Sequence, residues 1–197
     1  GVVSNNNENN FPQTYRTKES ADLFLILMIH LLKQGGRSAI VLPDGSLTGE
    51  GVKQRIRQKL LEDCNLHTIV RLPNSVFKPY ASVATNLLFF TKGEPTSKIW
   101  YYQHKVPSGS KGYSKTKPIK LSEFDDLKKW WLNRELNDFA WCVDIETIKA
   151  NGYDLDIKNP YQPTEEKHYS SGELLDLLHS SFARSDELLD QLRKELV

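Results

Sequence analysis

Between Glu94 and Glu123 six lysines (Lys98, Lys105, Lys111, Lys115, Lys117, Lys120) stand without an acidic residue, interleaved with Trp100, Tyr101, Tyr102 and Tyr113. Ammonium groups beside flat rings suit a nucleic acid, because cations displace condensed counterions from phosphates and rings stack on bases. The segment is either such a footprint, with Lys111, Lys115 and Lys117 on the DNA backbone, or a solvated lysine loop. Asp44-Gly45 follows an apolar run at 38–43 and so stands at the carboxyl end of an expected strand, where open α/β sheets place ligand crevices. It lacks G-x-G-x-x-G and the phosphate-loop lysine pattern, and a turn into a helix is the simpler account. His67 falls inside an expected strand, and the five histidines are scattered. Cys64 and Cys142 form no C-x-x-C pair, so neither a metal site nor a disulfide framework is expected. Two such cysteines fit a reducing compartment, the cytoplasm.

The elements that must position these residues follow from length and patterning. The chain has 197 residues, 39% of them hydrophobic, and 26 Lys+Arg against 25 Asp+Glu, which fits a soluble domain with a core and excludes a histone-like charge. The longest apolar run, 23–29, is broken at His30 and falls short of the roughly 18 to 20 residues that span a bilayer, so no membrane association is expected. The chain begins with Gly1 and its one methionine is Met28, which predicts a fragment of a longer protein.

Residues 1–12 carry five asparagines and are expected to form a loop or arm without a regular element. From a Thr17 or Ser20 cap, an all-round apolar stretch predicts a helix buried on several sides and ending at Gly35-Gly36. The uniformly apolar run 38–43 predicts a parallel strand covered on both faces, giving α/β grammar. Val52, Ile56 and Leu60 line one face of a cationic helix with Lys53, Arg55, Arg57 and Lys59. Strands at 66–72 and 83–91 are joined too briefly for a crossover helix and should be antiparallel neighbours. Residues 98–104 predict an additional edge strand. Ser122 is expected to cap a helix through Leu132, with Trp130, Trp131, Phe139 and Trp141 anchoring a small subdomain. Pro160 and Pro163 mark a linker, and Leu175, Leu178, Phe182, Leu189, Leu192 and Leu196 then form an a/d seam interrupted by Ser185. That tail has eight acidic against four basic residues from 165 onward, which suits a protein partner or an intramolecular core better than phosphate.

Three stretches together resemble the modification (methyltransferase) subunit of type I restriction-modification systems: GGRSAIVLPDGSLTGEG at 35–51, LLEDCNLHTIVRLPNSVFKPYASVATNLLFFTKGEP at 60–95 and YDLDIKNP at 153–160. The resemblance implies the C-terminal half of a class I, S-adenosylmethionine-dependent (Rossmann-like) methyltransferase sheet with a helical C-terminal tail. It implies a methyltransferase half at 1–105, a basic loop and appended subdomain at 106–163, and a heptad helix at 164–197. The parent would be a site-specific adenine N6 DNA methyltransferase, with a specificity subunit, a restriction subunit and a second modification subunit as partners. The family's glycine-containing cofactor loop and Asn-Pro-Pro-Phe motif occur nowhere in residues 1–197, so no catalytic residue is assigned and no S-adenosylmethionine binding by this chain alone is expected. Asn159-Pro160 echoes that motif only superficially.

In similar adenine methyltransferases an aromatic residue placed like Phe77 stacks on the flipped base. The resemblance therefore implies a base-stacking role for Phe77, with Tyr80 the alternative ring, against the simpler possibility that Phe77 plugs its loop onto the core. It also implies that the 175–196 seam packs on helices of the specificity subunit, which reads the DNA sequence. A non-catalytic assembly module that binds a partner through its tail is the rival.

Overall fold

The computed structural model describes residues 2–107, 109, 111–161 and 170–195. They fall into two compact units, Gly1–Gln162 and Pro163–Val197.

In the first unit the arm contains a single helical turn, α1 (Asn5–Glu8), where none was expected. A lone turn needs little propensity when one carbonyl serves it, and Ser4 accepts the N–H groups of Asn7 and Glu8, both at 3.1 Å. Helix α2 (Ser20–Leu31) starts from Glu19, with neither Thr17 nor Ser20 at its cap, and ends before the glycines. It buries Leu23, Leu25, Ile26 and Ile29 but leaves Phe24 and Leu31 60% and 69% exposed, so it is covered on one side and not on several. Gly35, at φ 74°, turns the chain so that its N–H reaches the Lys92 carbonyl at 2.8 Å.

Strand β1 (Arg37–Pro43) is followed by the short α3 (Asp44–Leu47), by α4 (Val52–Asp63) and by β2 (Cys64–Leu72). Strands β3 (Thr85–Lys92) and β4 (Lys98–Gln103) come next. Helix α5 (Asp125–Leu132), strand β5 (Ala140–Asp144) and α6 (Ile145–Ala150) complete the unit. The five strands form one mixed sheet of order β1-β3-β2-β4-β5. β2 and β3 are antiparallel, as their short connection requires.

Three expectations fail for one reason, that strand neighbours are chosen by tertiary packing. β1 is antiparallel to β3 and lies at the sheet edge. It is covered on one face only, with Leu42 1% and Val41 48% exposed. β4 is an interior strand, parallel to β2 and antiparallel to β5, so the edge position belongs to β5. β5 comes from residues read as part of an appended subdomain, and its Trp141 lies in the main core, stacked on Tyr101 at 5.2 Å. Ser122 is not a helix cap either, because a 3₁₀ turn at Leu121–Phe124 precedes α5.

α2 and α4 cover one face of the sheet over Leu42, Leu66, Ile69, Leu88, Phe90 and Ile99. α5 covers part of the other, where Trp130 meets Val70, Tyr102 and Ala140. The second unit is α7 (Ser171–Glu195). Its start is capped by Ser170, whose Oγ accepts the Glu173 N–H at 3.3 Å while the Glu173 carboxylate accepts the Ser170 N–H at 2.7 Å. Among the described residues no helix is long and apolar enough to cross a membrane.

Candidate nucleic-acid interface

β1 and β2 both end opposite Thr85, through the pairs Pro43 with Thr85 and Leu72 with Thr85, and Arg71 of β2 pairs with Gln103 at the end of β4. Three connections therefore leave the same edge of the sheet: 44–51, 73–84 and 104–120. The last two enclose a cleft of about 410 Å³ lined by residues that include Arg71, Asn74, Gln103, His104 and Lys105.

The stretch YDLDIKNP straps this edge. Leu155 N–H donates to the Leu47 carbonyl at 3.0 Å. The Arg71 guanidinium donates to the Ile157 carbonyl at 2.9 Å and pairs with Asp156. Asn159 donates to the Gln103 side chain at 3.3 Å. Burial pushes the Asp156 carboxyl up, but hydrogen bonds from Lys158 and Arg71 outweigh it and hold the group below its ordinary range. A second clamp is Arg57, 2% exposed, which donates to the carbonyls of Tyr153, Thr48 and Gly49, each at 2.6 Å. Burial lowers its pKa, and Asp154 and Asp22 oppose that shift. In the sequence Arg57 stands simply among the cations of α4. The missed signal is its spacing of four from the buried Leu61, which puts both on one face.

Phe77 and Tyr80 lie in the 73–84 connection, 43% and 87% exposed, whereas Val76 packs against the second core and holds the loop down. The loop is a run of turns: Val76 N–H to Pro73, Lys78 N–H to Ser75 and Tyr80 N–H to Phe77 carbonyls, at 3.2, 3.1 and 2.9 Å. Lys111, Lys115 and Lys117 are all exposed, around a buried Tyr113. The Tyr113 hydroxyl donates to Glu123 at 2.5 Å and lies 2.9 Å from His104 Nε2, while its backbone N–H donates to Ser75 Oγ at 3.0 Å. Lysine and aromatic loops are thus adjacent at one sheet edge.

Asp44 begins α3 instead of a loop, and its carboxylate accepts the Asn86 amide at 2.6 Å, while Lys53 donates to the Gly45 carbonyl at 2.7 Å. Asn86 thereby donates to Asp44, and the Gly45 carbonyl is taken by Lys53. Two buried polar atoms among the described residues here, Asn86 Oδ1 and Thr85 Oγ1, are left without a hydrogen-bond partner. Among the described residues there is no group of three or more His, Cys, Asp or Glu able to hold a metal. His67 lies half-buried on the sheet, edge-on to Trp131 at 5.8 Å, and burial, with Arg134 adding to it, lowers its pKa to about 4. In α7 Leu175, Leu178, Phe182, Leu189 and Leu192 are all exposed. Leu196 and Pro163 lie outside the described residues.

Residues 3–169 match the model of the N-6 DNA methylase family. The chain belongs to that family. This N-6 DNA methylase chain is 51% identical over 200 residues to the methylase subunit of the type I restriction enzyme EcoEI from Escherichia coli, covering 98% of this chain and 41% of that protein. A solved modification subunit assigned to a type I restriction enzyme of Vibrio vulnificus YJ016 is 43% identical, with a TM-score of 0.79 over 85% of this chain and 38% of that one. A chain from a structure of complex assembly in the type I R-M system is 32% identical, with a TM-score of 0.78 over 100% of this chain and 43% of that one. The chain thus spans about 41% of the length of the EcoEI relative. Its sheet and helices are those of the methyltransferase fold.

Proposed function

We propose that this chain is the C-terminal part of the modification subunit of a type I restriction-modification complex. The whole subunit transfers a methyl group to adenine N6 in DNA and takes that group from S-adenosylmethionine, with the cofactor and Asn-Pro-Pro-Phe motifs supplied by sequence other than 1–197. The observation that carries the reading is the meeting of the aromatic loop, the lysine loop and the YDLDIKNP strap at one sheet edge, in a chain of this family. In this reading Lys111, Lys115 and Lys117 take DNA phosphates, and the exposed Phe77 ring replaces the stacking that a flipped adenine loses, worth about 1–3 kcal/mol. The Phe77 loop then bears the base while Arg71 and the strap keep the loop root still.

Two further surfaces suit a part of a larger assembly. The outer edge of β1 has no strand partner among the described residues, and Phe24, Leu31 and Val41 are exposed. The remainder of the sheet and its helices would cover them, and this chain alone would transfer no methyl group. The apolar face of α7 favours a second reading of the same chain, as an assembly module for the specificity subunit, with the restriction subunit and a second modification subunit completing the complex.

Methyl transfer by the complete complex tests the first reading. Phe77→Ala is expected to lower kcat at least tenfold, by roughly 1.4 kcal/mol or more, with cofactor affinity unchanged. An unchanged rate in a folded variant would sink the role of Phe77, and methyl transfer by the 197-residue chain alone would sink the division of labour.

A further inference from the structure

The bonds of Tyr113 run to two different parts of the molecule. Its hydroxyl gives its proton to Glu123 and so must accept from His104, which sets the Nε2–H tautomer of that ring. Burial lowers the His104 pKa against the opposing pull of Glu123, and burial together with the Glu123 bond raises that of Tyr113, so both stay neutral with the bonds intact. His104 is also stacked on Phe124, with ring centroids 4.8 Å apart. These partners flank the lysine loop and would suffice to order it.

The bond from the Tyr113 N–H to Ser75 Oγ goes elsewhere, 38 residues away, to the aromatic loop. Ser75 is 4% exposed and its carbonyl accepts the Lys78 N–H at 3.1 Å, so it closes the turn that carries Phe77. The neighbouring Gly112 has φ 153°, and a Cβ there would stand 3.0 Å from Ser75 Oγ and 3.1 Å from Ser75 Cβ. The Gly112 backbone thus lies close against the Ser75 side chain, where a glycine leaves the room. Lys111 and Lys115 lie within two residues of the buried ring, so a displacement of the lysines is transmitted through Tyr113 to the root of the Phe77 turn.

We propose that Tyr113 is a positioning residue that latches the lysine loop to the aromatic loop, so that the grip of the lysines on DNA phosphates sets where the Phe77 ring stands. It rests on the reading of Phe77 and the lysines given above. The latch works through geometry alone and touches neither base nor phosphate.

The test uses the complete modification complex and a duplex with 2-aminopurine at the target adenine, whose fluorescence rises when the base leaves the stack. Tyr113→Phe, which keeps the crossing N–H but frees the ring from Glu123 and His104 that hold it in place, is expected to lower both that signal at saturating DNA and kcat roughly threefold to tenfold, leaving DNA affinity and its salt dependence unchanged. Changing Lys111, Lys115 and Lys117 to alanine should shallow the slope of log affinity against log salt by about 0.9 per contact. It should also lower the fluorescence in the parent but not in the Tyr113→Phe background. If Tyr113→Phe proves unstable, Ser75→Ala removes only the crossing bond and must give the same loss. A silent Tyr113→Phe or Ser75→Ala beside a defective Phe77→Ala overturns the latch alone. A silent Phe77→Ala, or an unaltered salt slope in the lysine variant, overturns the underlying reading and the latch with it.

Discussion

Helices α4 and α7 carry similar apolar spacings and meet opposite fates. In α4, Ile56, Leu60 and Leu61 are no more than 2% exposed, whereas in α7 Leu178, Leu189 and Leu192 are 52–56% exposed. α4 lies on a sheet face whose strands bring their own apolar side chains, and it buries a guanidinium among them. α7 is a single helix with a capped start and no buried residue among those described. Spacing settles which side chains share a face of a helix, and the cover for that face comes from elsewhere. In α4 the cover is in the same unit, so the helix contributes to stability. In α7 the same stripe is exposed.

Three measurements bear on this contrast. The largest effect is expected at Arg57, whose replacement by alanine strands the carbonyls of Thr48, Gly49 and Tyr153. Denaturant unfolding should show a loss of about 3–5 kcal/mol. Arg55→Ala, which removes only an exposed bond to the Thr14 carbonyl, should cost under about 1 kcal/mol. Equal losses for the two arginines would erase the distinction between the buried and the exposed side of α4.

In α7 the pair Leu189→Asp and Leu192→Asp should leave unfolding of the first unit within about 0.5 kcal/mol of the parent. The same pair should abolish co-purification with the specificity subunit, because a desolvated carboxylate in an apolar seam costs several kcal/mol. A falling melting temperature without any partner present would mean that the stripe is covered within the chain, and α7 would then join α4 in kind.

The smallest effect concerns pH. His67 has a folded pKa of about 4, below its ordinary 6.5, so on acidification the unfolded chain takes up its proton first. The stability tied to neutral His67 is whole above pH 6.5 and is lost as pH falls from there toward about 4. His67→Gln should flatten the dependence of melting temperature on pH within that window and leave it unaltered above. An identical slope in parent and variant would mean that the ring titrates as it does in water.

Local patterning made much of this molecule legible. The helix with Val52, Ile56 and Leu60, the antiparallel β2 and β3, the strand after Lys98 and the tail helix all follow from periodicity and from the length of one connection. So did the membership in a methyltransferase family, carried by three stretches in order. Less legible was anything decided by partners distant in sequence. Trp141 reads as an anchor for a subdomain until β4 supplies the edge on which its strand can pair. Arg57 reads as one cation of α4 among several until Tyr153, 96 residues later, brings its carbonyl.

The candidate site divides in the same way. The lysines stand out by residue type and spacing, and Phe77 by the resemblance of its stretch to adenine methyltransferases, both of which are read from the chain alone. Their adjacency is not: it depends on β2 and β4 ending in register, on Val76 holding down one loop and on Tyr113 reaching Ser75 from the other. Side-chain type sets what each group can bind and is readable from the sequence. Which groups meet is set by strand pairing and burial over the whole unit, where long-range contacts outweigh local preference, and the tertiary structure decided it.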